Sequence, residues 1–194
     1  MTQPARLLVL SALALAATAA SADGGTITGK VEVTPSKYLE ETVVYLKGAK
    51  GGGAKQTRSM DQRSMTFIPH LLVVGVGDTV EFLNHDGVAH NVYSPDGEGY
   101  NLGTFKQEEK ARYTFNSEGA YSQLCSLHPE MLAYIFVAPS HLAAAVDKKG
   151  NFTISNVPPG TYQLAIWNSH LKGADKSVTV VAGQATTVNL TVKR

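Results

Sequence analysis

The chain has 194 residues, with 17 lysine and arginine side chains against 16 acidic ones and a formal net charge of +1. A chain this close to neutral excludes a polybasic nucleic-acid binder and a polybasic membrane anchor. Its length allows one or two domains with their own cores, and its Gly, Val and Thr content favours an all-β protein.

The first 22 residues have the pattern of a cleaved export signal. Arg6 supplies a positive charge, a short apolar run follows it, and the small residues Ala20 and Ala22 precede a predicted mature start at Asp23. The apolar run is too short to span a bilayer comfortably, which argues against a membrane anchor. We therefore predict a periplasmic or secreted protein whose mature chain has no membrane span.

The segments that follow have the pattern of β-strands, beginning with TITGKVEV and TVVYLKG. HLLVVGVGDTVEFLN predicts two strands joined near 75–78, and ARYTFNSEGAYSQLC predicts two strands joined near 117–119. AYIFVAPS, NFTIS, TYQLAIW, KSVTVVAG and TTVNLTVKR continue the series, with Gly-rich and Pro-rich turns between them. No segment has a sustained helical period, so the spacing predicts β-sandwiches.

The single cysteine raises a question, because cysteines in exported proteins usually form disulfides. Cys125 has no second cysteine to pair with, so it is a buried inert thiol, an intermolecular disulfide or a metal ligand. His128 and Met131 follow it on one short loop between two predicted strands. Thiolate and thioether donors favour a soft metal, Cu(I) above all, and a His₂Cys site with a weak axial Met is the blue-copper arrangement.

Such a site requires one more histidine, and the segment VEFLNHDGVAHNVYSPDG offers two. His90 follows a predicted strand and precedes Asn91, whereas the rival His85 lies five residues earlier; the order of strand, loop and asparagine favours His90. Residues 66–138 resemble the small blue-copper cupredoxins of the amicyanin and plastocyanin group. The resemblance lies in GDTVEFLN, in HNV, in EGAYSQLCSLHPEM and in the closing strand.

This resemblance implies one type 1 copper with His90, Cys125 and His128 as equatorial ligands and Met131 as the axial ligand. It also implies that Asn91 ties the two ligand loops together by hydrogen bonds. The alternatives for Cys125 and Met131 are a buried core thiol and a core methionine. Four protein ligands leave no open position for a substrate, which indicates an electron carrier rather than an enzyme.

The resemblance further implies a docking surface for redox partner proteins. In the family one histidine edge, here that of His128, is partly exposed in an apolar patch, for which Leu127, Pro129 and Leu132 are the candidates. Glu130 departs from the family pattern, because an apolar residue is common at that place, and it leaves the identity of the partner open. No nucleic-acid partner is predicted.

The C-terminal segment contains the motif D-x-x-G-x-F-x-I-x-x-V-P-P-G-x-Y-x-L at 147–164. It resembles the carboxypeptidase-regulatory-like, transthyretin-like β-sandwich. Domains of that kind begin with a strand pair that is missing after residue 140 and present at 25–48. We therefore predict a cupredoxin Greek-key β-sandwich, 57–141, inserted into a transthyretin-like β-sandwich formed by 24–56 plus 142–194. The alternative assigns 24–140 to the copper domain and leaves an incomplete separate sandwich.

The sequence thus predicts a periplasmic blue copper protein that carries single electrons. The alternatives are a protein that stores or delivers Cu(I) and a scaffold protein with a vestigial site. An enzyme of the nitrite reductase type would need a second copper, for which the sequence offers no clear ligand set. Met60, Met65, His70 and His141 flank the junctions of the predicted insertion and are the candidates for a second soft-metal site.

Overall fold

The computed structural model describes residues 24–50 and 53–194. The predicted signal peptide, 1–22, lies outside the described residues. Within them the chain forms eighteen β-strands and one short 3-10 helix, so the all-β prediction is confirmed. In the described ranges no helix is long and apolar enough to cross a membrane.

One sandwich, called the outer sandwich here, takes its strands from both ends of the described chain. It begins with β1 (Gly25–Val33), the 3-10 helix (Ser36–Glu41) and β2 (Thr42–Leu46). Its other strands are β12 (Ala143–Ala145), β13 (Asn151–Val157), β14 (Gly160–Asn168), β15 (Lys172–Gly173), β16 (Lys176–Val180), β17 (Ala185–Thr187) and β18 (Leu190–Lys193). One sheet has the order β13-β1-β18-β15 with β17 also beside β1, and the other has the order β12-β2-β14-β16.

The strands in between form a second sandwich, called the central sandwich. They are β3 (Thr57–Arg63), β4 (Thr66–Ile68), β5 (Leu71–Gly75), β6 (Thr79–Asn84), β7 (His90–Ser94), β8 (Tyr100–Phe105), β9 (Lys110–Thr114), β10 (Gly119–Leu124) and β11 (Leu132–Ala138). Its sheets have the orders β5-β11-β10-β7-β8 and β4-β3-β6-β9. In the described part of the chain these nine strands pair only with one another.

The strands with which β1 and β2 pair show how the two sandwiches follow each other along the chain. β1 pairs with β13, β17 and β18, and β2 pairs with β12 and β14, so both N-terminal strands find partners only after residue 142. An insertion of the central strands into the outer sandwich would produce this pattern. The limits of the two domains, 24–56 plus 142–194 and 57–141, stay a prediction.

Each sandwich has its own core because its strands alternate between buried and exposed side chains. In the outer sandwich Ile27 and Val31 of β1 pack against Ile154 of β13 in one buried cluster. The central core contains Phe82, Phe115, Tyr121 and Ile135, and it also contains Cys125 and Met131. Burial of each large apolar side chain contributes about 1.5–3 kcal/mol. The predicted metal ligands therefore start from a rigid, packed background.

A third apolar cluster joins the two sandwiches. Leu71 and Phe136 of the central sandwich lie with Val43 of the outer one, and Trp167 packs against this cluster. The ring centroids of Phe136 and Trp167 are 5.4 Å apart. The sheet that contains β10 and β11, which flank the cysteine loop, is thus anchored on the outer sandwich.

Candidate metal centre

The structure brings His90, Cys125 and His128 together. His90 is the first residue of β7, Cys125 directly follows β10, and His128 lies in the loop before β11. The Cys125 Sγ atom is 3.9 Å from His90 Nδ1 and 3.8 Å from His128 Nδ1, and the two Nδ1 atoms are 3.0 Å apart. His90 is fully buried and Cys125 is 2% exposed. Among the described residues this is the one group of three such side chains whose donor atoms all lie within 4.8 Å of one another.

These distances fit a first-row transition metal. Protein zinc sites, used here as a reference, have bonds of about 2.0–2.1 Å to imidazole nitrogen and about 2.3 Å to thiolate sulfur. A trigonal ion with such bonds separates nitrogen from sulfur by roughly 3.8 Å and the two nitrogens by roughly 3.5 Å. Both nitrogen–sulfur distances agree, and only the nitrogen–nitrogen distance has to widen. The three donors are therefore placed for an ion before it arrives.

Asn91 connects the two ligand loops, as the sequence resemblance implies. Its backbone N–H donates to Cys125 Sγ at 3.4 Å, and its side-chain oxygen accepts from the backbone N–H of Ser126 at 3.3 Å. Its side-chain amide donates to the Gly103 carbonyl oxygen and to Asn101 Oδ1, both at 2.9 Å. β7, β8 and the cysteine loop are thus held together by one buried side chain.

Met131 closes the cysteine loop. Its backbone N–H donates to the carbonyl oxygen of His128 at 3.0 Å. Its side chain is 1% exposed and belongs to the same apolar cluster as Cys125. The predicted axial ligand is therefore buried in the core that contains the thiol, and its role as a ligand stays a prediction.

Asp86 belongs to the site and was missed by the sequence prediction. Its Oδ2 atom lies 3.0 Å from His90 Nε2, on the edge of the imidazole that faces away from the thiol. The Met65 backbone N–H, first, and then the His90 side chain hold the pKa of Asp86 below its ordinary value. The carboxylate is consequently charged at neutral pH. The available signal was its position four residues before His90 in the same loop.

The rival histidine lies elsewhere. The Nδ1 atom of His85 is 2.9 Å from Asp61 Oδ1, and His85 also lies near the exposed side chain of Glu108. His85 is not in the group of donor atoms around Cys125. The structure thus places the imidazole of His90, and not that of His85, beside Cys125, and the choice of His90 as a ligand stays a prediction.

The four candidates for a second soft-metal site have different surroundings. Met60 is fully buried in the central core, whereas Met65 is half exposed in the turn after β3. His70 pairs with Glu41 at 3.1 Å. His141 also contacts a carboxylate, since its Nε2 atom lies 2.8 Å from Asp78 Oδ2. Within the described residues these side chains thus have four different environments.

Exposed apolar residues lie next to the half-buried His128 in the loop. Leu127 is 50% exposed, Leu132 is 38% exposed, and Pro129 is exposed between them. Val88, on the loop that leads to His90, is also exposed. Glu130 is the one charged side chain among the loop residues 126–131. The ligand edge at His128 therefore lies beside apolar surface with one acidic neighbour.

Two family models match different parts of the chain. Residues 54–138 match copper binding proteins of the plastocyanin/azurin family. Residues 142–188 match a model described as polysaccharide lyase family 4, domain II. No curated protein matches the chain.

Several solved structures are similar to part of the chain. A purple cupredoxin from Nitrosopumilus maritimus is 26% identical, with 41% of this chain and 97% of that chain covered and a TM-score of 0.38. The copper-containing nitrite reductase from Thermus scotoductus SA-01 is 29% identical over 46% of this chain and 24% of its own, with a TM-score of 0.40. A reduced amicyanin point mutant is 25% identical, with 48% of this chain and 97% of that chain covered and a TM-score of 0.40.

The central sandwich therefore lies within the segment, 54–138, that matches copper binding proteins of the plastocyanin/azurin family. The match of 54–138 and the donor group of His90, Cys125 and His128 assign copper as its cofactor. Imidazole, thiolate and thioether donors are those expected for copper.

The carboxypeptidase-regulatory-like resemblance of the outer sandwich is not confirmed, because a different domain model matches that segment. The reason lies in what the motif encodes. Asp147 accepts hydrogen bonds from the backbone N–H groups of Lys149 and Asn151, and Gly150 has φ of +86°. D-x-x-G thus specifies a tight turn, which is a local feature and does not identify one β-sandwich family.

Proposed function

We propose that this protein is a periplasmic type 1 copper protein that carries single electrons between redox partner proteins. The observation that carries the proposal is the group of His90, Cys125 and His128, whose nitrogen–sulfur distances of 3.9 Å and 3.8 Å match those around a trigonal metal ion. Bound copper would supply a one-electron couple between Cu(I) and Cu(II).

The hydrogen bonds around the ligands support electron transfer because they keep the ligands in place in both oxidation states. Asn91 holds the cysteine loop against β7, and Asp86 holds the imidazole of His90. The N–H group of Asn91 that points at Cys125 Sγ stabilises negative charge on the sulfur. A site that does not rearrange gains and loses an electron with little structural cost.

The closed coordination supports a carrier over an enzyme. His90, Cys125 and Met131 are buried, and with Met131 as fourth ligand the ion has no open position for a substrate. His128 is the half-buried ligand, and its exposed apolar neighbours Leu127 and Pro129 provide a place where a partner can approach. Electrons would enter and leave at this edge.

The test is an optical and electrochemical study of copper-loaded protein. We expect an intense thiolate-to-Cu(II) absorption and reversible one-electron cycling with copper retained. Cys125→Ser removes the sulfur and should abolish the colour, and His90→Ala should weaken Cu(II) binding, whereas His85→Ala should leave both unchanged. Protein that stays colourless, binds only Cu(I) and loses it to a chelator would contradict the carrier and support Cu(I) storage or delivery.

Export is part of the proposal and has its own test. The basic, apolar and small-residue pattern of 1–22 supports cleavage near Ala22. We expect protein recovered from the periplasm of an expressing bacterium to begin at Asp23, as read by N-terminal sequencing. Recovery of the uncleaved chain from the cytoplasm alone would exclude the periplasmic location.

A further inference from the structure

The two imidazoles of the centre differ on the edge that faces away from the metal. His90 Nε2 meets the carboxylate of Asp86 at 3.0 Å inside the protein, where His90 has no exposed surface. In the described part of the chain no hydrogen bond is made by the Nε2 atom of His128, which lies at the half-buried edge of the site. Only one of the two nitrogen ligands therefore has a charged partner.

Asp86 is itself held in place by its neighbours. Its Oδ2 atom also accepts the Met65 backbone N–H at 2.7 Å, and its Oδ1 atom accepts the N–H of Gly87 at 2.9 Å. Its own backbone N–H donates to Asn84 Oδ1 at 2.9 Å. Met65 belongs to the turn between β3 and β4, so the carboxylate joins that turn to the ligand loop. A group fixed in this way has one orientation toward His90.

The contact decides which imidazole nitrogen carries the proton. A carboxylate accepts hydrogen bonds, so the nitrogen facing Asp86 must be the one with the hydrogen. The lone pair is then left on Nδ1, the atom that faces Cys125 and His128. A carboxylate in this place also makes the imidazole a more basic ligand. The more highly charged Cu(II) gains more from a basic nitrogen than Cu(I) does.

We propose that Asp86 is a positioning residue that fixes His90 as the Nε2–H tautomer and lowers the reduction potential of the centre by favouring Cu(II). Only the effect on the reduction potential rests on the proposed copper function. The tautomer of His90 follows from the chain's own hydrogen bonds.

The first experiment compares Asp86→Asn with the unchanged protein. Asparagine has nearly the same shape, so folding, checked by thermal unfolding, should be retained. Loss of such an outer partner weakens metal binding by about 10–100-fold. We expect that loss for Cu(II) and a smaller one for Cu(I). Each tenfold change in the ratio of the two affinities raises the potential by about 59 mV for one electron.

Two matched variants separate the hydrogen bond from charge alone. Glu130→Gln removes a carboxylate from the cysteine loop, and Asp61→Asn removes one from the non-ligand His85. The shift expected for Asp86→Asn should be several times larger than that of either control. An unchanged potential in Asp86→Asn, or an equal shift in Glu130→Gln, would overturn the proposal.

A second readout is independent of redox chemistry. Nitrogen-15 spectra of Zn(II)-loaded protein should show His90 bound through Nδ1 with a slowly exchanging proton on Nε2, and Asp86→Ala should accelerate that exchange. A proton on Nδ1, or unchanged exchange in the variant, refutes the positioning role. If the copper-loaded protein proves colourless, the electron-carrier proposal fails while this measurement still decides the role of Asp86.

Discussion

At the scale of single residues, the candidate metal centre depends on buried polar side chains that form several hydrogen bonds. Asn91 is 3% exposed, and its side chain makes three hydrogen bonds to two different segments. A buried polar group that loses its partners costs about 1–3 kcal/mol. Residues that touch no metal thus set the spacing between His90 and Cys125.

We expect Asn91→Ala to lower the free energy of unfolding of the metal-free protein by about 1–3 kcal/mol, because Ser126 N–H and the Gly103 carbonyl lose their partner. Urea unfolding followed by circular dichroism measures the loss. Asn116→Ala is the control, since the exposed Asn116 side chain donates one bond to the neighbouring Thr114 carbonyl, and a change within about 0.5 kcal/mol is expected. Equal losses would refute the role of Asn91.

Some residues of the site could be predicted from the sequence and others could not. His90, Cys125 and His128 could be singled out from the sequence by their order and spacing, and the structure brings these three side chains together. Asp86 could not, since its contact with His90 depends on how an irregular loop folds back, and no periodicity encodes that. The sequence signals a ligand more readily than the group that orients it.

At the scale of elements, two turns between strands contain residues whose effect on protein stability can be tested. Glu108, in the turn between β8 and β9, has φ of +65°, a backbone conformation that costs a residue with a Cβ atom about 1–2 kcal/mol. Its neighbour Glu109 has ordinary φ and accepts the Lys106 N–H at 2.7 Å. The two adjacent glutamates therefore have opposite structural roles.

Glu108→Gly should raise the free energy of unfolding by about 1 kcal/mol, because glycine adopts positive φ without strain. The matched substitution Glu109→Gly should lower it by about 0.5–1 kcal/mol, since it removes a hydrogen bond and adds backbone freedom. Chemical unfolding of both variants provides the comparison. A destabilised Glu108→Gly protein would contradict the assignment of strain to this turn.

The turn between β12 and β13 makes a pH prediction. Hydrogen bonds from the backbone and then the side chain of Asn151 hold the pKa of Asp147 below its ordinary value. A carboxylate with a lowered pKa in the folded state stabilises the protein above its unfolded pKa of about 3.9 and loses that effect as the pH falls through the folded value.

Asp147→Ala should therefore be less stable than the unchanged protein at neutral pH, and the difference should shrink below about pH 4. Thermal unfolding between pH 7 and pH 3 measures it, with the exposed Lys148→Ala as control. A difference that stays constant into acid would show that the carboxylate charge plays no part.

The strands differ in how clearly their pattern of apolar and polar residues predicts them from the sequence. β1, β6 and β13 largely alternate between buried and more exposed residues and were predicted. β11 was also predicted, although most of its residues are buried. β3 was not, because TRSMDQR is mostly polar and only Met60 and Gln62 face inward. β7 was also missed, since it buries the polar residues His90, Asn91 and Ser94, and β8 was missed because it buries only Phe105. Strands that serve the site are thus less apolar than those that only pack.

At the scale of the whole molecule, the cluster of Val43, Leu71, Phe136 and Ala138 joins the two sandwiches. Phe136 is 4% exposed and contacts both Tyr45 and Trp167 of the outer sandwich. Trp167 is the single tryptophan of the chain, so its fluorescence reports on this interface. We infer that the cluster couples the unfolding of the two halves.

In the unchanged protein, unfolding followed by tryptophan fluorescence and by circular dichroism should give coincident curves. Phe136→Ala should lower stability by about 3–5 kcal/mol and separate the two curves. Leu132→Ala, on the same strand but partly exposed, should cost less and keep them together. Separate curves in the unchanged protein would disprove the coupling.

The split origin of the outer sandwich has a consequence for the order of events during folding. Lys30 of β1 bonds to Asn189, 159 positions away, whereas His90 and His128 are 38 positions apart. Contacts between distant chain segments form slowly because long loops must close first. In pulse-labelled refolding, backbone amides of β10 and β11 should become protected from hydrogen exchange before those of β1, so the ligand pocket would be ready while its frame is still open.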